Sequence, residues 1–131
     1  MDFELKTGIE KEYSLEVNQS NTAKAVGSGG LEVFSTVSLI GVFEKISYEL
    51  MEEHLPEEFS TVGIKVNIDH IAATPMGMHI EFKTALTDID RKRLVFEVEA
   101  KDEKEIVAKG IHERFIIEKE KFMEKAKNKL S

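Results

Sequence analysis

The 131-residue sequence contains no cysteine, which excludes disulfide scaffolds, thiolate metal sites and cysteine nucleophiles. Positive charge is also scarce: 18 Lys and Arg stand against 25 Asp and Glu, a formal net charge of −7. Broad nucleic-acid binding needs a basic face and is disfavoured, although local positive charge can still hold an anionic ligand. No apolar run approaches the roughly 18 residues of a membrane span. The stretch MDFELKTGIEKEYSLEV lacks the basic-then-apolar pattern of a secretory signal. A soluble, cytoplasmic protein with no membrane or nucleic-acid partner is the expectation. There is no internal repeat and no low-complexity tract. The hydrophobic share of 41% is enough for a core, and the length suits a single domain over 1–131.

Periodicity divides the chain. Tyr13, Leu15 and Val17 alternate as a short strand, and residues 18–30 (NQSNTAKAVGSGG) read as a loop with considerable freedom. Residues 31–55 predict one long helix, apolar nearly all round in its first half and stopped by Pro56. Strand patterns follow. Val62, Ile64, Val66 and Ile68 alternate, with His70 on their parity; AATPMG at 72–77 is a turn. Met76, Met78, Ile80, Phe82, Thr84 and Leu86 form the inner side of the next strand, 87–90 turns, and Leu94, Phe96, Val98 and Ala100 line another. A hairpin at 101–104 leads to a last strand through Val107, Ile111, Phe115 and Ile117, which puts His112 and Arg114 on its other face. The tail EKEKFMEKAKNKLS suits a short polar helix. One long buried helix with about five antiparallel strands is an α+β arrangement in which the sheet curls around the helix, the hotdog fold. Its open edge favours a homodimer, and a dimer of dimers is compatible.

Glu44 stands where an apolar side chain is expected. At about 100° per residue, Val33, Val37, Ile40, Tyr48, Met51 and Leu55 fall within roughly 40° of it on the helix. A carboxylate inside such a stripe must be paired, protonated or functional; a helix-surface glutamate is the plain alternative. Glu44 can act as general base on water or attack a carbonyl itself. His70, inward at a strand end, can orient a carboxylate or shuttle a proton, or be a hydrogen-bonded core residue. Thr36 lies eight residues before Glu44, about 12 Å of helical rise, so the two cannot readily meet on one small atom. Either the helix starts irregularly at Thr36 or two protomers share the site. Thr36 can be a nucleophile assisted by His70, a positioning group, or a helix cap. Gly63 can present a backbone N–H to an oxyanion or be a close-packing glycine or bulge. Arg114 can anchor a carboxylate or phosphate, brace the site from behind, or form a surface ion pair. The four histidines, His54, His70, His79 and His112, lack metal-ligand spacing, so no metal is expected.

The stretches VFSTVSLIGVFE (33–44), VGIKVNIDHIAATPMGM (62–78), RLVFEVEA (93–100) and HERFII (112–117), with their spacing, resemble the fluoroacetyl-CoA thioesterase-like branch of the hotdog superfamily. The resemblance implies acyl-CoA thioester hydrolysis, with Thr36, Glu44 and His70 catalytic and Gly63 and Arg114 beside them. It also implies a site at the dimer interface and no cofactor, CoA being part of the substrate. The segment before the helix, where substrate-gating side chains are expected, is VGSGG, with no aromatic residue between Tyr13 and Phe34. CoA phosphates call for a basic rim, for which Arg91, Lys92 and Arg93 and the tail lysines from Lys119 to Lys129 are the candidates. Two other readings share the architecture: an enoyl-CoA hydratase, whose usual hydration motif is missing, and a non-catalytic acyl-CoA-binding or sensing module.

Overall fold

The computed structural model describes residues 3–131; Met1 and Asp2 lie outside them. The order is β1 (Glu10–Glu16), α1 (Ala23–Val26), α2 (Thr36–Glu52), β2 (Phe59–His70), β3 (His79–Asp90), β4 (Arg93–Asp102), β5 (Ile106–Glu118) and α3 (Lys119–Lys127), ending in a 3-10 turn. Among the described residues the strands form a five-stranded sheet, β1-β3-β4-β5-β2, antiparallel throughout. The hotdog expectation holds: α2 lies in the concave face of the sheet.

The helix begins later than its apolar run suggests. Residues 31–35 are not helical: 31 and 32 form a bend, and isolated bridges join Thr22 to Phe34 and Val33 to Pro75. Ser35 is the N-cap, its side chain accepting from the Ser38 N–H at 3.0 Å. Thr36 is therefore the first helical residue, not the cap, and its hydroxyl is free for other work.

The core face of α2 carries Leu39, Phe43, Ile46 and Leu50, which meet Ile80, Phe82, Leu86, Leu94, Phe96 and Ile116 of the sheet. Burying each such side chain contributes about 1.5–3 kcal/mol. Rings of Phe34 and Phe43 stand edge-on to Phe82, at 6.0 and 5.5 Å between centroids. The stripe around Glu44 is a different face. Val37 and Tyr48 are 56% and 41% exposed on it, and Glu44 itself is half-exposed. The expectation of a buried carboxylate is corrected: α2 has two apolar faces and the sheet covers one.

Strand β3 begins at His79, so Met76, which is exposed, and Met78 precede it rather than lining its inner side. Beyond them β3 and β4 keep the expected alternation, with Ile80, Phe82, Thr84, Leu86, Leu94, Phe96, Val98 and Ala100 all buried. The β3–β4 turn falls after Asp90, at Arg91 with φ of 58°, rather than over 87–90. Strands β2 and β5 do not follow the predicted parity. On β5, His112, Arg114 and Ile116 face the helix and are buried, while Ile111 and Phe115 are exposed on the outer side. On β2 a bulge between Gly63 and Lys65 inserts Ile64, so pairing runs Gly63 to Arg114 but Lys65 to Glu113 and Val66 to His112. Directly opposed residues share a face. Thr61 and Gly63 thus point inward before the bulge, and Val66, Ile68 and His70 after it. One extra residue brings Gly63 and His70 to the same side despite their opposite parity.

The 18–30 segment is better ordered than its composition suggests. Asn18 and Asn21 exchange turn hydrogen bonds, Thr22 caps α1, and Gly27 ends it in the left-handed conformation at φ +80°. Lys24 N–H and Ala23 N–H bond to the Leu31 and Val33 carbonyls.

Candidate active site

Two groups of polar side chains lie along the line where α2 crosses β2. At the helix start, Thr36 Oγ1 and His70 Nδ1 are 2.8 Å apart. The strand end delivers His70 to the first turn of α2, and capping by Ser35 leaves the threonine hydroxyl available. His70 Nε2 is buried and makes no hydrogen bond of acceptable geometry. Burial pulls the His70 pKa below its ordinary value; the nearby Ala72 backbone opposes this in part. A neutral imidazole accepting from the threonine O–H at Nδ1 carries its proton on Nε2, so the unpartnered atom is a donor without a well-formed hydrogen bond. Beside it lies a shallow hollow of about 230 Å³, lined by Val33, Phe34, His70, Ile71, Ala72 and Ala73.

Two turns along α2, Glu44 meets the inward side chains of β2 and β5. Its Oε2 is 3.8 Å from Arg114 Nη1, and a Cβ on Gly63 would come within 2.8 Å of the same oxygen. Gly63 is thus the residue whose missing side chain makes room for the carboxylate, which joins the close-packing reading to the functional one. Arg114 is buried. Its Nε donates to Thr61 Oγ1 at 2.8 Å, Nη2 to the Thr61 carbonyl at 3.0 Å, and Nη1 to His112 Nε2 at 3.2 Å. The guanidinium also lies 5.9 Å from the Tyr48 ring centroid. The Tyr48 pKa is raised first by its hydrogen bond to Glu52. Arg114 is therefore neither a surface ion pair nor an open anchor: it braces Glu44 from beneath.

Of the five expected residues, the fold joins Thr36 to His70 and joins Glu44, Gly63 and Arg114, but it keeps the two groups apart. About 12 Å of helical rise separates Thr36 from Glu44. His112, Thr61 and Tyr48 were not anticipated in the site. The signal for His112 was its place two residues before Arg114, hence on the same strand face. The basic candidates are dispersed: Arg93 is tied by two hydrogen bonds to Glu113 on the outer face, and Arg91 and the α3 lysines are exposed. A larger hollow on the outer sheet face is lined by Glu12, Ser14, Glu81, Lys83 and Glu99. No group of three His, Asp or Glu among the described residues converges as a metal site.

A family model described as fluoroacetyl-CoA-specific thioesterase matches residues 17–120. The fluoroacetyl-CoA thioesterase of Streptantibioticus cattleyicolor is 32% identical over 98 residues, 75% of this chain and 70% of that protein. The chain belongs to this fluoroacetyl-CoA thioesterase family. Solved structures agree with the assignment. One of a fluoroacetyl-CoA thioesterase superposes with a TM-score of 0.87 at 26% identity, covering 95% of this chain and 97% of that one. A hot-dog-like protein from Thermanaerovibrio acidaminovorans has a TM-score of 0.92 at 22% identity, covering 100% and 98%, and supports the fold. All five expected site residues and His112 lie inside the span matched by the thioesterase family model.

Proposed function

We propose that this protein hydrolyses a small acyl-CoA thioester to the free acid and CoA, at a site completed by a second copy of the chain. The observation that carries the reading is the 2.8 Å contact between Thr36 Oγ1 and His70 Nδ1, with Nε2 of the same ring buried and unpartnered. Membership of a thioesterase family supports the chemistry.

The half-exposed Glu44 supplies what the first group lacks. In a dimer, once the ring turns to expose its buried Nε2–H, the partner's Glu44 accepts that proton's hydrogen bond, holds the ring in the tautomer that takes the Thr36 proton, and steadies the imidazolium that follows. Thr36 Oγ1 attacks the thioester carbonyl, His70 returns the proton to the departing thiolate, and water then releases the acid with His70 as base. The lowered pKa of His70 keeps the ring neutral and able to accept. The charge of Arg114, behind Glu44, favours negative charge developing in the site.

Two features support the dimer. β2 is a twelve-residue edge strand with Ile64 and Val66 51% and 41% exposed, and the second apolar face of α2 is uncovered. An antiparallel pairing of two β2 edges centred between Val66 and Asn67 sets Gly63 of one chain opposite the partner's His70. No helix of the described residues is long and apolar enough to cross a membrane, and a cytoplasmic setting is part of the proposal.

The test is release of free thiol from acetyl-, propionyl-, longer-chain, aryl- and halogenated acetyl-CoA, beside Glu44→Gln. Hydrolysis that falls roughly 100-fold or more in the variant supports the reading. No hydrolysis of any thioester, with CoA ligands still raising the melting temperature, replaces it with an acyl-CoA-binding module.

A further inference from the structure

His112 is a buried, fully hydrogen-bonded imidazole that the proposed chemistry does not use. Its ring stacks on Phe96, its cross-strand neighbour, with centroids 6.1 Å apart and planes 29° from parallel. Nδ1 lies 2.9 Å from the Lys65 carbonyl oxygen and Nε2 lies 3.2 Å from Arg114 Nη1. A carbonyl can only accept and a guanidinium can only donate, so the proton sits on Nδ1 and the lone pair on Nε2. Lys65 is the residue at which β2 resumes its register after the bulge. One ring therefore ties the bulge that turns Gly63 and His70 to one side to the guanidinium that braces Glu44.

The choice of acceptor matters. Arg114 is buried, yet its close partners are all uncharged: the Thr61 hydroxyl, the Thr61 carbonyl and His112. The nearest carboxylate oxygen, on Glu44, is farther off at 3.8 Å. A neutral ring fixes the direction of the guanidinium without cancelling its charge, whereas a carboxylate in the same place would neutralise it. We propose that His112 is a positioning residue, which uses Nδ1 to hold the β2 bulge and Nε2 to aim Arg114 at Glu44 with its positive charge intact. This rests on the thioesterase reading for its effect on turnover, but not for the contacts themselves.

Three substitutions separate the parts. In His112→Asn the amide reaches the Lys65 carbonyl but not Arg114. In His112→Gln the side-chain oxygen reaches about where Nε2 lies and can accept from Arg114. In His112→Glu the acceptor is kept but charged. The expected result with an acyl-CoA substrate is kcat lowered roughly 10- to 100-fold in Asn and Glu, KM within about threefold, and most of the turnover rescued in Gln. Equal losses in Asn and Gln that track melting temperature, or full turnover in Asn, overturn the proposal while leaving thioester hydrolysis standing. Nitrogen-15 spectra judge the contacts independently. Wild type should show His112 as the Nδ1–H tautomer, and a hydrogen-bonded Arg114 Nη1–H signal should be lost in Asn and retained in Gln. If the wild type hydrolyses no thioester, the functional reading fails and these spectra decide the proposal: an Arg114 signal unchanged in Asn overturns it.

Discussion

The two ends of the α2–β2 crossing differ in what they lack. Thr36 and His70 form a complete donor–acceptor pair but leave Nε2 without a well-formed hydrogen bond. Glu44, by contrast, rests on a fully supported base of Arg114, Thr61 and His112 while its carboxylate stays half-exposed. One end has an unused donor and the other an underused acceptor. They do not meet within one chain, and in the proposed dimer a two-fold axis would make them complementary. On the proposed reading, each folded chain is inert until it pairs.

The largest expected effect breaks the first end. Thr36→Ala removes the oxygen bonded to His70 and should lower turnover at least roughly 100-fold, with Thr36→Ser retaining much more. Because Ser35 caps the helix, neither variant should shift the melting temperature much. Equal, mild losses would make Thr36 a positioning group and return the base role to Glu44 acting on water.

A second comparison sets two glycines of the sheet against each other. The Cβ of Gly63→Ala would meet the far end of the Glu44 side chain at 2.8 Å, so the carboxylate moves at little cost to folding. Turnover should fall about 10- to 100-fold with the melting temperature nearly kept. The Cβ of Gly110→Ala would meet the Asn67 carbonyl oxygen at 2.2 Å, where only backbone can give way. That variant should be destabilised by about 1–3 kcal/mol or more. Thermal melts and kinetics of the two should therefore rank them oppositely, and the same ranking in both assays would place Glu44 elsewhere.

The smallest effect is that of pH. Burial lowers the pKa of both His70 and His112 below the ordinary 6.5. The native state then binds fewer protons than the unfolded chain, so this stability is complete above about pH 6.5 and is lost as pH falls through the lowered values. Melting temperature should decline from pH 7 towards 5, less steeply in His112→Gln. A flat or rising profile would mean that these rings are hydrated.

How far the sequence revealed these groups varied by element. Strands β3 and β4 were legible because every inward position is filled by Ile, Phe, Thr, Leu, Val or Ala. β5 was misread because its inner face carries His112 and Arg114, while the apolar Ile111 and Phe115 point outward. β2 was misread because nothing in VGIKV announces that Ile64 is bulged. Leu31, Val33 and Phe34 hid the helix start, and with it the fact that Ser35, not Thr36, is the cap. Thr36, Glu44 and His70 became candidates through the family resemblance and the helical wheel. The wheel misjudged burial, since it cannot tell a face covered by the sheet from one left for a second chain. Gly63 and Arg114 were candidates too, but their closeness to the Glu44 carboxylate became clear only from the structure.

Mixing two inactive variants tests the shared site most directly. Thr36→Ala and Glu44→Gln chains, unfolded together and refolded at equal concentration, form about half heterodimers, each with one intact site of two. The account predicts recovery of thioester hydrolysis to about a quarter of the wild-type rate, while each variant refolded alone stays inactive. A mixture no more active than its parents would place Thr36, His70 and Glu44 in the same chain's site, or outside the chemistry altogether.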